Sequence, residues 1–219
     1  MASADRGARR VSAGELVADL GPRWLVVPAG IGADDRDAWV RSNVDRVRAL
    51  GEDWPADAAE LVPALLAHAV DRRGEDHLVL TFWPSVVPLP ATVRISVLAS
   101  PGRAAIADEL RARPTSRAEH VDGARLGPGV EWVHADALPG ERGEQLIGIQ
   151  ACFADDETMV LVTLDPTLPA LLPHVADPVR ELARTVERVR AGHPWVARPL
   201  PEGVGTRSDR ETWPAWHRA

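Results

Sequence analysis

The alternation of apolar and polar positions changes period several times along the chain, and each change marks an element. Residues 23–28 form a short apolar run, Trp24-Leu25-Val26-Val27, closed by Pro28 and Gly30, which predicts a first strand. Asp34 or Asp35 can cap the helix that follows, where Val40, Val44, Val47 and Leu50 recur at spacings of four and three, with Trp39 at the edge of the stripe. A second helical pattern covers residues 57–73, carrying Leu61, Val62, Leu65, Leu66, Ala69 and Val70 before a stop at Gly74. Pro63 falls inside it. A proline past the first turn removes a backbone donor, so the helix either kinks there or begins its regular part there.

From His77 the period becomes two. Residues 77–83 and 91–98 predict two strands joined by the Pro-rich link 84–90, and residues 103–113 a short helix. Further strands are expected over 119–126, 131–138, 145–154 and 158–165, parted by Gly, Pro and Asp; residues 159–162 are apolar on both faces, as in a central strand. The closing helix reads from Asp177 as cap and Pro178 as first residue, with Val179, Leu182, Val186 and Val189 on one stripe and Gly192 after the end. The order predicts an α+β fold: a mainly antiparallel sheet of about six or seven strands, two helices in the N-terminal half and a closing C-terminal helix. Residues 1–13 read as a flexible tail, 14–192 as a single domain, and 193–219 as an arm rich in Pro and Arg that carries Trp195, Trp213 and Trp216.

This element order resembles that of the superfamily of the photosystem II extrinsic protein PsbP and the Ran-binding nuclear import factor. The likeness covers residues 16–190 and is carried by Trp24, by the run Ala151-Cys152-Phe153-Ala154-Asp155-Asp156 through to Leu164, and by the helix after Asp177. The second helix and the Trp-bearing arm depart from the pattern. The resemblance implies a non-catalytic binding or assembly factor.

Composition narrows the function further. The formal net charge is −7, and all 25 basic residues are Arg, the bias of a genome rich in G and C. That charge, with no basic stripe, argues against a nucleic-acid binder. The chain opens without the apolar run of a secretory signal, and no apolar stretch nears the ~20 residues that span a bilayer, so a cytoplasmic protein with no membrane partner is expected. The lone Cys152 agrees with a reducing compartment; set in an apolar strand, it reads as a structural thiol. The seven His residues never fall at metal-ligand spacing, the acidic clusters 34–37 and 155–157 read as a helix cap and a hairpin turn, and without Lys there is neither a P-loop lysine nor a pyridoxal Schiff base. No catalytic residue, metal or cofactor is therefore assigned.

Strand parity is the most informative feature. Leu78, Leu80 and Phe82 fall on one face, and His77, Thr81 and Trp83 on the other with Val79. Arg94 and Ser96 oppose Val93, Ile95 and Val97, and Trp132, His134 and Asp136 share a face. Aligned in register, His77, Thr81, Trp83, Arg94, Ser96, Trp132, His134 and Asp136 would form one ligand or partner face. Eight Trp against two Phe is unusual, and Trp213 and Trp216 suit a docking segment, in cis or in trans. The sequence thus points to a protein-binding accessory factor, chaperone-like or of immunity type, whose partner is another protein or a second copy. The alternative is a small-molecule-binding or enzymatic domain using the polar sheet face.

Overall fold

A strand apolar on one face and carrying Val79, Thr81 and Trp83 on the other needs cover on both sides, and the architecture supplies it. The computed structural model describes residues 9–51, 54–112, 118–137 and 145–204. In chain order the elements are β1 (Arg9–Ala13), β2 (Leu16–Leu20), β3 (Trp24–Val27), α1 (Ala33–Arg48), α2 (Ala56–Glu60), α3 (Val62–Asp71), β4 (Leu78–Phe82), β5 (Ala91–Ala99), α4 (Arg103–Ala112), β6 (Ala118–Asp122), β7 (Pro128–Ala137), β8 (Gln145–Ala154), β9 (Thr158–Thr167), α5 (Leu172–Thr185), β10 (Glu187–Arg190) and β11 (His193–Trp195). The protein is α+β. A seven-stranded sheet runs β3-β4-β5-β9-β8-β7-β6, a four-stranded sheet runs β1-β2-β10-β11, and all pairings are antiparallel. No helix among the described residues is long and apolar enough to cross a membrane.

The inner face of the large sheet presents Leu78, Leu80, Phe82, Val93, Ile95, Val162, Leu164 and Phe153 to one core shared with α5 and with Leu16, Ala18 and Leu20 of β2. The outer face is covered in two places. Over β3 and β4, α1 and α3 bring Val47, Val62 and Leu66 against Leu25, Trp54 and Trp83. Over β7 and β8, α4 sets Ile106, Ala107 and Leu110 on Val130, Trp132 and Cys152. Local sequence explains the helix limits. Asp34 and Asp35 sit in the first turn of α1, where carboxylates favour the positive helix end, rather than at its cap, which is Gly32. The helix expected over 57–73 breaks at Leu61, and Pro63 falls in the first turn of α3, where its missing N–H costs nothing.

Three expectations are corrected. Residues 9–13 of the supposed flexible tail form β1, paired along β2 from Arg9 opposite Leu20 to Ala13 opposite Leu16. The closing helix starts at Leu172, not at Pro178, because Leu172, Val175 and Ala176 extend its buried stripe upstream; their burial outweighs the bond lost at Pro178. It also ends sooner. Thr185 Oγ1 donates to the Leu182 carbonyl at 2.9 Å and Val186 turns extended, so Val189 lies on β10 instead of the helix. Finally, residues 193–204 of the supposed arm are laid on the domain: the Ala197 and Arg198 amides bond the carbonyls of Leu126 (2.8 Å) and Ala154 (2.9 Å), and Trp195 is buried. Trp213 and Trp216 lie outside the described residues.

Asp155, in the turn from β8 to β9, ties the two sheets together. It accepts bonds from the amides of Glu157 (2.8 Å) and Thr158 (2.7 Å) and from the Trp195 indole (2.7 Å). Trp195 in turn lies under the Arg188 guanidinium, 5.3 Å from the ring centroid, and Arg188 bonds Glu15. Burial alone would raise the Asp155 carboxyl, but these three bonds and the nearby Arg188 charge outweigh it and hold the group below its ordinary value of 3.8.

Two measurements check this arrangement. Leu182 is only 2 % exposed, so Leu182→Ala should cost ~2–5 kcal/mol in urea unfolding, and a change below about 1 kcal/mol would place the stripe outside the core. Because folding depresses the Asp155 pKa, its stabilisation is complete above about 3.8 and is lost as pH falls through the lower folded value. Asp155→Asn should therefore cost about 1 kcal/mol at neutral pH, and the difference from wild type should narrow as pH falls below 3.8; a difference that stays constant through acid titration would contradict the assignment.

Candidate functional site

The register aligns Arg94 and Trp132 of the polar parity set in one row, while His77 and Trp83 flank the paired residues of β4. Val79, Arg94, Thr163, Gln150, Trp132 and Ala118 form one row across β4, β5, β9, β8, β7 and β6. Members of the parity set then take different roles. Thr81 and Trp83 are fully buried beneath α1 and α3, with the Trp83 indole donating to Thr81 Oγ1 at 3.2 Å, and Trp132 is buried beneath α4. They belong to cores and not to an accessible surface.

Arg94 is a bolt between sheet and helix. Its Nε donates to both Asp165 oxygens (2.9 and 3.0 Å), Nη1 to Asp76 (2.8 Å) and the Arg73 carbonyl (2.6 Å), and Nη2 to the Arg72 carbonyl (2.8 Å). Those carbonyls lie just past the end of α3, where unpaired acceptors need partners. Ser96 donates to Asp76 at 2.5 Å, and His77 Nδ1 accepts the Val97 amide at 3.2 Å. Burial raises the Asp165 carboxyl despite Arg94, whereas at Asp76 the bonds from Ser96 and Arg94 overcome burial and lower it. His134 is half-buried with Nδ1 lacking a partner, its ring packed on Gly148, where a Cβ would come within 2.4 Å of it. Asp136 is exposed at the end of the strand.

A cavity that collects charge lies on the opposite face. A cleft of about 610 Å³ opens between α5 and the β6 end of the large sheet. Residues Glu119, His120, Val121 and Asp122 of β6 form one wall, and Asp177, Arg180, Glu181 and Arg184 of α5 form the other. The α5 residues recur at spacings of three and four, so one turn after another presents charge to the cleft while Val179 and Leu182 on the adjacent stripe enter the core. Glu131, Ala151 and Phe153 make the floor. Phe153 reaches it because Gly123 and Gly129 carry no side chain; a Cβ on either would approach its ring to 2.6 Å.

Electrostatics define this cleft. Glu119 and Glu131 are cross-strand partners, an arrangement that is unfavourable for like charges, and Glu131 is only 5 % exposed. Arg180 resolves the conflict. Its Nε bonds both Glu131 oxygens (3.0 and 3.1 Å) and its Nη2 bonds Oε1 at 2.6 Å. Burial would lower the Arg180 pKa, but the Glu131 bonds and the charges of Glu131, Asp177 and Glu119 outweigh it and raise it. The described lining holds five carboxylates against two guanidinium groups, a formal −3 counted without His120. Among the described residues it contains no hydroxyl or thiol side chain to serve as a nucleophile. Cys152 is elsewhere, beneath α4, where burial and the Glu109 charge push its thiol up to about 12. No three His, Cys, Asp or Glu side chains among the described residues converge as metal ligands.

The sequence assigns no binding role to any cleft residue: Asp177 is expected as a helix cap, and Ala151 and Phe153 only as part of an apolar strand. One signal was present: on β7, Glu131 holds a position of the parity that faces the core, between Gly129 and Val133, where a carboxylate demands a buried partner. The partner, 49 residues away, required the tertiary structure. No model of a known protein family matches the chain, and no curated protein matches it.

If the pair holds the cleft, Arg180→Met should cost about 3 kcal/mol in urea unfolding by leaving Glu131 buried and unpaired, and adding Glu131→Leu should recover most of the loss. A cost below about 0.5 kcal/mol for the single change would show that the pair bears no load.

Proposed function

We propose that this chain is a non-catalytic, cytoplasmic accessory factor that receives part of another protein in the cleft between α5 and β6. The observation that carries this reading is a strongly charged cleft, one wall of which is a terminal strand of the large sheet. Its volume lies within the range of about 300–1,000 Å³ typical of small-molecule pockets, but such pockets are mostly apolar, and this lining is mostly ionised. Charged walls around a charge-paired floor suit the side chains of a macromolecule. The outer sheet face, the seat of the alternative small-molecule or enzymatic reading, has its central cation already committed to Asp165, Asp76 and two carbonyls. A reduced, buried Cys152 accords with a cytoplasmic setting. The resemblance of the element order to the PsbP-like superfamily implies the same kind of role.

The test reverses charge on the rim. Asp177 and Glu181 side chains are 88 % and 69 % exposed, so Asp177→Arg with Glu181→Arg should leave thermal stability within about 0.5 kcal/mol of wild type. Capture of the wild-type partner from native lysate should fall at least about tenfold, a loss of about 1.4 kcal/mol. Undiminished capture of that partner would remove the cleft from the reading, and recovery of further copies of this chain alone would identify self-association instead.

A further inference from the structure

Both ends of the large sheet are terminal strands, and the protein treats them differently. At the β3 end, Arg46 of α1 reaches across and donates to the carbonyls of Pro22 (3.1 Å) and Trp24 (3.2 Å), so that edge is occupied. At the β6 end no described residue pairs with the outer side of the strand. Which backbone groups face outward follows from the hairpin. The Gly123 amide bonds the Gly127 carbonyl at 2.9 Å, and alternation then turns Val121 and Glu119 towards Gly129 and Glu131. Pro128, opposite Asp122, has no N–H to offer, and the Ala154 carbonyl beside it is taken by the Arg198 amide, as this phase requires. The amides and carbonyls of Ala118, His120 and Asp122 therefore point away from the sheet.

An edge that no described residue pairs is a template for another strand. The charges decide which strand. A second copy of β6, Ala-Glu-His-Val-Asp, would turn a further Glu119 towards a cleft whose described lining already carries a formal −3, which disfavours self-pairing. A strand added beside Glu119 and Val121 would turn the residues opposite them into the cleft, where the formal charge is −3. Resting on the reading above, we propose that the partner segment is an extended, Arg- or Lys-bearing peptide that pairs with the outer edge of β6 and lays alternate basic side chains into the α5–β6 cleft. The backbone bonds to His120 and Asp122 supply the register, and the exposed carboxylates of Asp177 and Glu181 on the rim of α5 supply the selection for positive charge.

The probes are four fluorescein-labelled peptides of about nine residues: one alternating Val and Arg, one alternating Val and Glu, and two Val–Arg peptides N-methylated at every second backbone nitrogen, one in each phase. The Val–Arg peptide should bind the full chain saturably, and at least about tenfold more tightly than the Val–Glu peptide. N-methylation in one phase should weaken it at least about tenfold and in the other leave it nearly unchanged, since only one edge of the added strand faces β6. Asp177→Asn, at a side chain 88 % exposed on the rim, should weaken binding about threefold while its melting temperature stays near wild type. In the complex, hydrogen exchange at the His120 and Asp122 amides should slow at least about tenfold. No saturable binding below about 1 mM, equal binding of the Val–Glu peptide, or binding with both amides unprotected would overturn the inference. These failures are distinct from failure of the cleft itself: if the Asp177→Arg, Glu181→Arg variant loses its partner while the peptides fail, the cleft stands and strand addition falls.

Discussion

The ion pair between Glu131 of β7 and Arg180 of α5 is the constraint on which the cleft depends. A carboxylate with almost no access to water, set opposite a second carboxylate on the next strand, is tolerable only beside a cation held in fixed geometry. Arg180 meets that need with a two-pronged contact, and doing so fixes how α5 lies over the β6 end of the sheet. A hydrophobic pair would close the same gap at no electrostatic cost. The retention of charge leaves an opening between helix and strand that an apolar contact would seal.

Elsewhere the protein commits its polar groups internally. Arg94 uses its fork to cap the end of α3 and to hold Asp165 and Asp76, Asp155 gathers two amides and an indole, and Arg188 is sandwiched between Glu15 and Trp195. Each joins an element to one distant in sequence, and of the three only Arg188 keeps a buried nitrogen, Nη1, without a partner among the described residues. The cleft differs because Asp177 and Glu181 face solvent with their charges engaged only along the helix surface, where such pairs contribute little. Specificity for a basic partner would come from these carboxylates, and rigidity from the buried pair beneath them.

Local pattern was sufficient for much of the fold. Period-two runs located β4, β5, β8 and β9, and the valine spacing located α1, because those signals need only one buried face. Parity even placed Arg94 and Trp132 in one row. What it could not supply was the cover: Thr81 and Trp83 become core because α1 and α3 cross over them, and no local signal encodes that docking. Val186 and Val189 misled for a related reason, since a spacing of three fits a helix whereas their β-branching also fits the extended chain they adopt. The four-stranded sheet escaped because β1 is mostly polar and exposed, and its partner strands are separated by more than 160 residues. At the cleft, Glu131 was visible as a carboxylate of core parity, but Arg180 looked like an ordinary helix surface residue until the fold set it alongside.

The central claim is that partners engage the β6 edge and not the outer sheet face that sequence parity suggested. Site-specific photo-cross-linking in cells compares the two surfaces directly, with a photoreactive residue placed at Asp177, across the cleft from β6, in one variant and at Ser96 in another. The account predicts a discrete adduct with a second protein from position 177 and none from position 96. An adduct from position 96 alone would contradict it.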